Sequence, residues 1–342
     1  MRSLAVVGLA TATACGSSQA TGGGSATVSP SSAAATPTGS PTISPACTHG
    51  GPTYMVQPYA PTEALAAAYK PVIASLSRTL GCKVRFEIAG SLADELNAVA
   101  GGHVAMAEFA GLGPGFALNA TTPGIDMVAT YNSAFDGTPA MYSTTLYQPA
   151  RQGLDLSGLV GRTVALSTPG SITGDDFPRA AMIEAGVLSK VSVVYTGSQR
   201  RSLLDLSCPA RPADRRQPCT KYAFAAIGSQ VTAPSAKAHQ WDPQKFDTLW
   251  RSDPIPYTAI GLNAQLAPQV RKDLQAALLA IPAANVRPVA KLLNFASART
   301  GRGLVQVSDG TYCHSSNLDL CDVIKTLKLK PAQVLPLVGE GL

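Results

Sequence analysis

The chain has 342 residues, of which 45% are hydrophobic and 14% charged, enough to bury a sizeable core and too apolar for a disordered chain. Its 27 Lys plus Arg against 21 Asp plus Glu leave a formal net charge of +6, which is too thinly spread for a nucleic-acid surface. That balance remains compatible with a small anionic ligand.

The first segment, "MRSLAVVGLATATAC", carries one positive charge at Arg2, a short apolar run and small residues leading to Cys15. This order is that of an export signal. A cysteine directly after Ala12-Thr13-Ala14 resembles a relaxed bacterial lipobox. Two readings stand: residues 1–15 are a lipoprotein signal with lipid on the Cys15 sulfur, or an unlipidated secretory signal. The apolar run is too short to cross a membrane. Residues 16–46 contain no charge and no aromatic side chain, so they read as a disordered Ser/Thr/Gly/Pro tether. Such a tether spans about 30 Å root-mean-square. Setting Cys15 aside leaves six of the seven cysteines. An even number in an exported chain favours disulfides over metal ligation. Proximity pairs Cys208 with Cys219 and Cys313 with Cys321, leaving Cys47 with Cys82. No spacing of His and Cys points to zinc, and no cofactor is expected.

From residue 53 short apolar runs alternate with helical periodicity. "TYMVQPY" reads as a strand, and "TEALAAAYKPVIASLSRTLG" as a helix capped by Thr62 and ended by Gly81. Strand "KVRFEIA", helix "SLADELNAVAGG", strand "VAMAEF" and helix "GPGFALNA" follow. Then come strand "RTVALS", helix "FPRAAMIEAG", strand "VSVVYTG", helix "SQRRSLLDL" and strand "YAFAAIG". Strands alternating with helices predict α/β architecture with parallel sheets and ligands at the carboxyl ends of strands. "APQVRKDLQAALLAI" and "RPVAKLLNFAS" read as amphipathic helices. "CHSSNLDLC" and a short helix close the chain.

Several strands end in hydroxyl-rich or Gly-rich turns that open helices: Tyr59 to Thr62, Glu108 to Gly111, Ser171 to Gly174 and Thr196 to Gln199. A helix N-terminus presents free N–H groups that suit an oxyanion. Ser and Thr at such places are also ordinary caps, and both readings stay open. The longest such stretch is "STPGSITGDDFP".

Collinear pieces from Tyr54 to Ile281 resemble the phosphate/phosphite/phosphonate substrate-binding proteins of ABC transporters, the PhnD-like family with the type 2 periplasmic-binding fold. They include "PTEALAAAYKPVIASLSRTLGCKV", "AGGHVAMAEFAGLGPGFAL", "LSGLVGRTVALSTPGSITG", "FPRAAMIEAGV" and "VVYTGSQRRSLL". The resemblance implies two lobes with a ligand cleft between them and a two-crossover hinge near Tyr142 to Tyr147 and Ile255 to Leu262. Lobe 1 would comprise residues 47–141 plus 258–342, and lobe 2 residues 142–257. In the family the turn matching "TPGSITG" holds the oxyanion, which carries Ser171, Thr173 and Gly174 over as ligand groups. Ile172 stands where the family has a hydroxyl, and Gln199 where a histidine is frequent. Ser198, Tyr59, Phe109 and Tyr142 complete the expected binding set. Glu108, where an aromatic residue is frequent, is either a ligand contact or a solvated rim charge.

The implied function is that of a lipid-anchored extracytoplasmic solute receptor, acting as a monomer with an ABC permease and binding a phosphonate-, phosphite- or phosphate-like oxyanion. A sensor or interaction lipoprotein on the same fold, or a binder of a sulfonate, are the alternatives. An enzyme is not expected: "GSITG" is not the GxSxG nucleophile elbow, and no histidine pairs with a nucleophile and an acid.

Overall fold

The computed structural model describes residues 44–47, 50–119, 124–132, 141–207, 222–293, 303–314 and 318–333. The first part of the chain runs β1 (Thr53–Val56), α1 (Thr62–Leu80), β2 (Arg85–Ile88), α2 (Leu92–Ala100), β3 (Met106–Phe109), α3 (Gly113–Asn119) and β4 (Ile125–Tyr131). The chain then crosses through β5 (Met141–Tyr142) to β6 (Thr144–Pro149), β7 (Thr163–Leu166), α4 (Phe177–Glu184) and β8 (Ser192–Tyr195). After these come α5 (Gln199–Ser207), β9 (Phe224–Gly228), α6 (Ser229–Lys237) and β10 (Phe246–Arg251). It returns through β11 (Ile255–Pro256) to β12 (Ala259–Asn263), α7 (Pro268–Leu279), α8 (Ala283–Leu292), β13 (Leu304–Gln306) and α9 (Leu320–Leu327).

These strands form a six-stranded sheet in the order β13-β4-β12-β3-β1-β2 and a five-stranded sheet in the order β10-β6-β9-β7-β8. The crossing strands β5 and β11 pair antiparallel with each other, Tyr142 opposite Ile255. Helices cover the large sheet on both faces, which is why β1, β3 and β12 are buried along their whole length and read as apolar runs. One apolar cluster lies under α1, α7 and α8, with Tyr54, Tyr69, Leu76 and Leu278. A second gathers Phe109, Leu112 and Phe116 with Val323 and Ile324 of α9, and it also takes in Tyr142, Ile255, Ile172 and Phe177.

Three expectations need correction. The sheets are mixed: β1, β2 and β3 run parallel, as do β7, β8 and β9, but β12 is antiparallel to both β3 and β4, and β6 to β9. Each of these antiparallel strands follows a crossing directly, so it enters its sheet with no helix to turn it round. The return crossing, expected near Ile255 to Leu262, holds β11 and leads into β12, which lies between β3 and β4. The tether ends earlier than expected: Pro45–Cys47 is a helical turn with Ala46 buried, and Ser44 Oγ donates to Asp273 Oδ2 of α7 at 2.7 Å. Thr62 is the first residue of α1 rather than its cap, and the preceding Pro61 makes no side-chain cap bond. The Gly81 stop stands, with φ of 75°.

Two disulfides are formed, Cys47–Cys82 with Cα atoms 5.8 Å apart and Cys313–Cys321 at 5.4 Å. Cys208 and Cys219 lie outside the described residues, as do Cys15 and residues 16–43.

Candidate functional site

The stretch "STPGSITGDDFP" joins β7 to α4 through a wide helical turn, Ile172–Asp176. Asp175 N–H and Asp176 N–H both donate to Ser171 O, at 2.7 and 2.8 Å, the second across five residues rather than four. Widened turns of this kind recur at functional sites. Gly174 is required by close approach: a Cβ there would lie 1.9 Å from Ser167 Oγ. Its carbonyl accepts from Ser167 N–H at 2.9 Å, pinning the turn to the end of β7.

Each hydroxyl in this turn has a partner. Ser171 Oγ accepts from Gly174 N–H at 3.1 Å, so Ser171 is a cap and the Gly174 amide is already bonded. Thr173 is 1% exposed, and its Oγ1 accepts from Gln199 Nε2 at 2.9 Å and from Gln230 Nε2 at 3.0 Å. Gln199 cannot turn over, because its Oε1 accepts from Gly228 N–H at 2.6 Å. Thr144 Oγ1 donates to Thr173 O at 2.5 Å. Ser198 Oγ accepts from Arg201 N–H at 3.1 Å and is the cap of α5. Gly197 N–H donates to Ser167 O and Thr168 Oγ1 to Gly197 O, so the turns after β7 and β8 are laced together.

Behind the turn, Asp175 accepts from Gly170 N–H at 2.7 Å and from Tyr195 Oη at 2.9 Å, and pairs with Arg179 Nε at 2.7 Å. Tyr195, at the end of β8, is 41% exposed and serves this carboxylate. Asp176 is buried beside it, and burial together with the charge of Asp175 pushes its carboxyl up to about 7, against the pull of Arg179.

The remaining expected residues fall elsewhere. Glu108 is fully buried and is not a rim charge: its oxygens accept from Tyr54 Oη at 2.6 Å and Tyr131 Oη at 2.8 Å. The strand places it inside the sheet because it alternates with Phe109, which faces the opposite apolar cluster. Burial raises the Glu108 carboxyl while the tyrosine bonds pull it back. Tyr59 shares a 2.6 Å hydrogen bond with Tyr69 in the same nest. Tyr142 is buried and packs on Tyr257 with ring centroids 4.7 Å apart, one on each crossing of the chain. Ile172 joins the cluster of Phe109 and Tyr142. So Ser171, Thr173, Gly174, Ser198 and Gln199 form one hydrogen-bonded patch, Tyr59 and Glu108 a tyrosine-carboxylate nest, and Phe109 and Tyr142 an apolar wall.

The described residues hold one group with metal-ligand spacing, Cys313, Asp319 and Cys321, whose two sulfurs are joined in a disulfide. No helix among them is long and apolar enough to cross a membrane.

A family model described as "ABC transporter, phosphonate, periplasmic substrate-binding protein" matches residues 54–302. The chain belongs to that family. Among relatives, the phosphate-import protein PhnD of Mycolicibacterium smegmatis is 26% identical over 223 residues, 62% of this chain. The match spans 65% of that relative's length. Among solved structures, a Xanthomonas citri protein bound to ATP has a TM-score of 0.50 at 14% identity, covering 81% of this chain and 96% of its own. PhnD1 of Prochlorococcus marinus, in complex with methylphosphonate, gives 0.49 at 13% identity, covering 81% and 97%. The family fixes the type 2 periplasmic-binding fold and an extracytoplasmic place of work.

Sequence reasoning missed two members of this protein's patch, Thr144 and Gln230. Gly228-Ser229-Gln230, where β9 runs into α6, repeats the Gly197-Ser198-Gln199 that follows β8. That likeness is the signal by which Gln230 can be found.

Proposed function

We propose that the protein is the lipid-anchored receptor of an ABC importer for a small phosphonate-, phosphite- or phosphate-like oxyanion, held at the turn from Ser171 to Gly174. The observation that carries this reading is the convergence on Thr173. Its hydroxyl oxygen accepts two amide N–H bonds, from the first turns of α5 and α6, which follow β8 and β9. With both bonds made, the hydroxyl proton must point away from the amides, ready for an acceptor. The carboxyl ends of β7, β8 and β9 meet here, where α/β sheets bind their ligands.

Thr173→Val keeps shape and removes the hydroxyl. Hydrogen bonds to charged groups are worth about 1.5–3 kcal/mol, so the variant is expected to bind about ten- to a hundredfold more weakly. Calorimetric titration with inorganic phosphate and with methylphosphonate measures this. Ser171→Ala should instead lower stability by about 1 kcal/mol, as loss of a cap does. Equal affinity of Thr173→Val and the unaltered chain would remove the turn from the site.

The anchor is proposed from the signal and from Cys15. Cys15→Ala should move the protein from the membrane fraction to the soluble one. Retention of the variant on membranes, with no lipid mass on the native chain, would rule the anchor out.

A further inference from the structure

We infer that Gln230 is the residue that sets ligand choice at this site, and that it selects an oxyanion still carrying a proton, such as a hydrogen phosphate or a phosphonate monoanion. This rests on the oxyanion reading above and names the ligand class more closely.

Gln230 reaches Thr173 only because position 228 has no side chain. A Cβ on Gly228 would lie 2.2 Å from Gln230 Oε1 and 2.5 Å from its Nε2. The carboxamide thus folds back over Gly228 and fills the room a side chain would take. Gly228 does not need glycine for its backbone, since its φ of −75° and ψ of 150° suit any residue. What glycine provides there is the seat for Gln230.

In that seat Gln230 Nε2 donates to Thr173 Oγ1, while its Oε1 is buried with no hydrogen-bond partner. A buried acceptor left unpaired is costly, and a ligand that donates to it gains by relieving that cost. The pair therefore presents a donor, the Thr173 hydroxyl proton, beside an acceptor, Gln230 Oε1. A P–O–H group next to a P–O⁻ satisfies both. An acceptor-only oxyanion such as sulfate meets the lone pairs of Oε1. It escapes them only if the carboxamide turns over. Then Oε1 takes the Thr173 hydroxyl proton, and the ligand gains an N–H but loses that O–H. The protonated oxyanion keeps one hydrogen bond more in either case.

One such bond to a charged ligand corresponds to about ten- to a hundredfold in affinity. The test uses the full chain titrated with inorganic phosphate, methylphosphonate and sulfate near neutral pH, with a melting curve for each variant. The unaltered chain is expected to prefer phosphate over sulfate by at least about tenfold. Gly228→Ala, which evicts the carboxamide without backbone strain, and Gln230→Met, which keeps its bulk, should both lose most of that preference and melt as the unaltered chain does. Gln230→Glu should bind phosphate more tightly as pH falls, since a carboxylate accepts from P–O–H but repels a dianion. Phosphate binding with the same preference over sulfate in Gln230→Met and Gly228→Ala overturns the role of Gln230 and leaves the oxyanion reading intact. An unaltered chain that binds none of the three ions overturns both.

Discussion

Asp176 shows how burial and a neighbouring charge combine on one carboxyl. Burial and Asp175 push it up to about 7, from an ordinary value of 3.8. A carboxyl raised in the folded state holds its proton more tightly there than in the unfolded chain. The stability this contributes is fully present below about 4 and is lost as pH rises through about 7. Asp176→Asn cannot ionise, so its stability should change less over that interval, the two curves diverging by about 1.4 kcal/mol per unit of displacement. Urea unfolding at a series of pH values reads this directly, and parallel curves would refute it. The sequence marked the turn from Ser171 to Asp176 as special but could not assign its roles. Whether Ser171 caps or binds depends on Gly174 N–H, and the role of Thr173 depends on amides at positions 199 and 230. Glu108 illustrates the same limit: its phenolic partners come from positions 54 and 131, and nothing local announces them.

The strand–helix alternation was legible wherever a strand and its helix follow one another, as in β7 to α4 and β8 to α5. The strands missed were those whose partners are distant. β12, "AIGLN", is five residues with a glycine and is buried by β3 and β4 from more than a hundred residues earlier. β6 begins with two threonines beside a crossing and reads as a linker until β9 is placed beside it. The Cys47–Cys82 bridge, expected only as the pair left over once the nearer cysteines were matched, fastens the turn at Pro45–Cys47 to the end of α1. Closing a loop over a separation of 35 residues removes chain entropy worth about 3–4 kcal/mol. Replacing both cysteines by serine should lower the thermal midpoint by several degrees, as differential scanning calorimetry would register, without altering phosphate affinity. A loss of binding at unchanged midpoint would contradict that separation of roles.

Ile172 links the two sheets. It lies 4% exposed in a cluster with Phe109 and Leu112 from the large sheet's side and with Tyr142 and Ile255 from the paired crossings. The resemblance makes a hydroxyl at this position an attractive repair, yet the side chain faces apolar neighbours rather than the patch around Thr173. Ile172→Thr should therefore cost about 1–3 kcal/mol, from lost packing and an unpaired hydroxyl, and should weaken ligand binding rather than tighten it. Unfolding and titration of the same variant decide the point, and tighter phosphate binding would show that the turn can present its second position to ligand. α9 spans the same junction, packing on both α3 and α4, with its first turn tied back by Cys313–Cys321.

The position of β12 between β3 and β4 has a further consequence for how the chain comes into being. A ribosome or secretion channel delivers β1 to β4 first, but β3 and β4 are not neighbours in the finished sheet. The slot between them stays open until residues 259–263 arrive, after the entire five-stranded sheet has been delivered. Such long-range closure is slow. The large sheet therefore stays incomplete while the strands of the five-stranded sheet can already pair with one another, until residue 263 has been delivered.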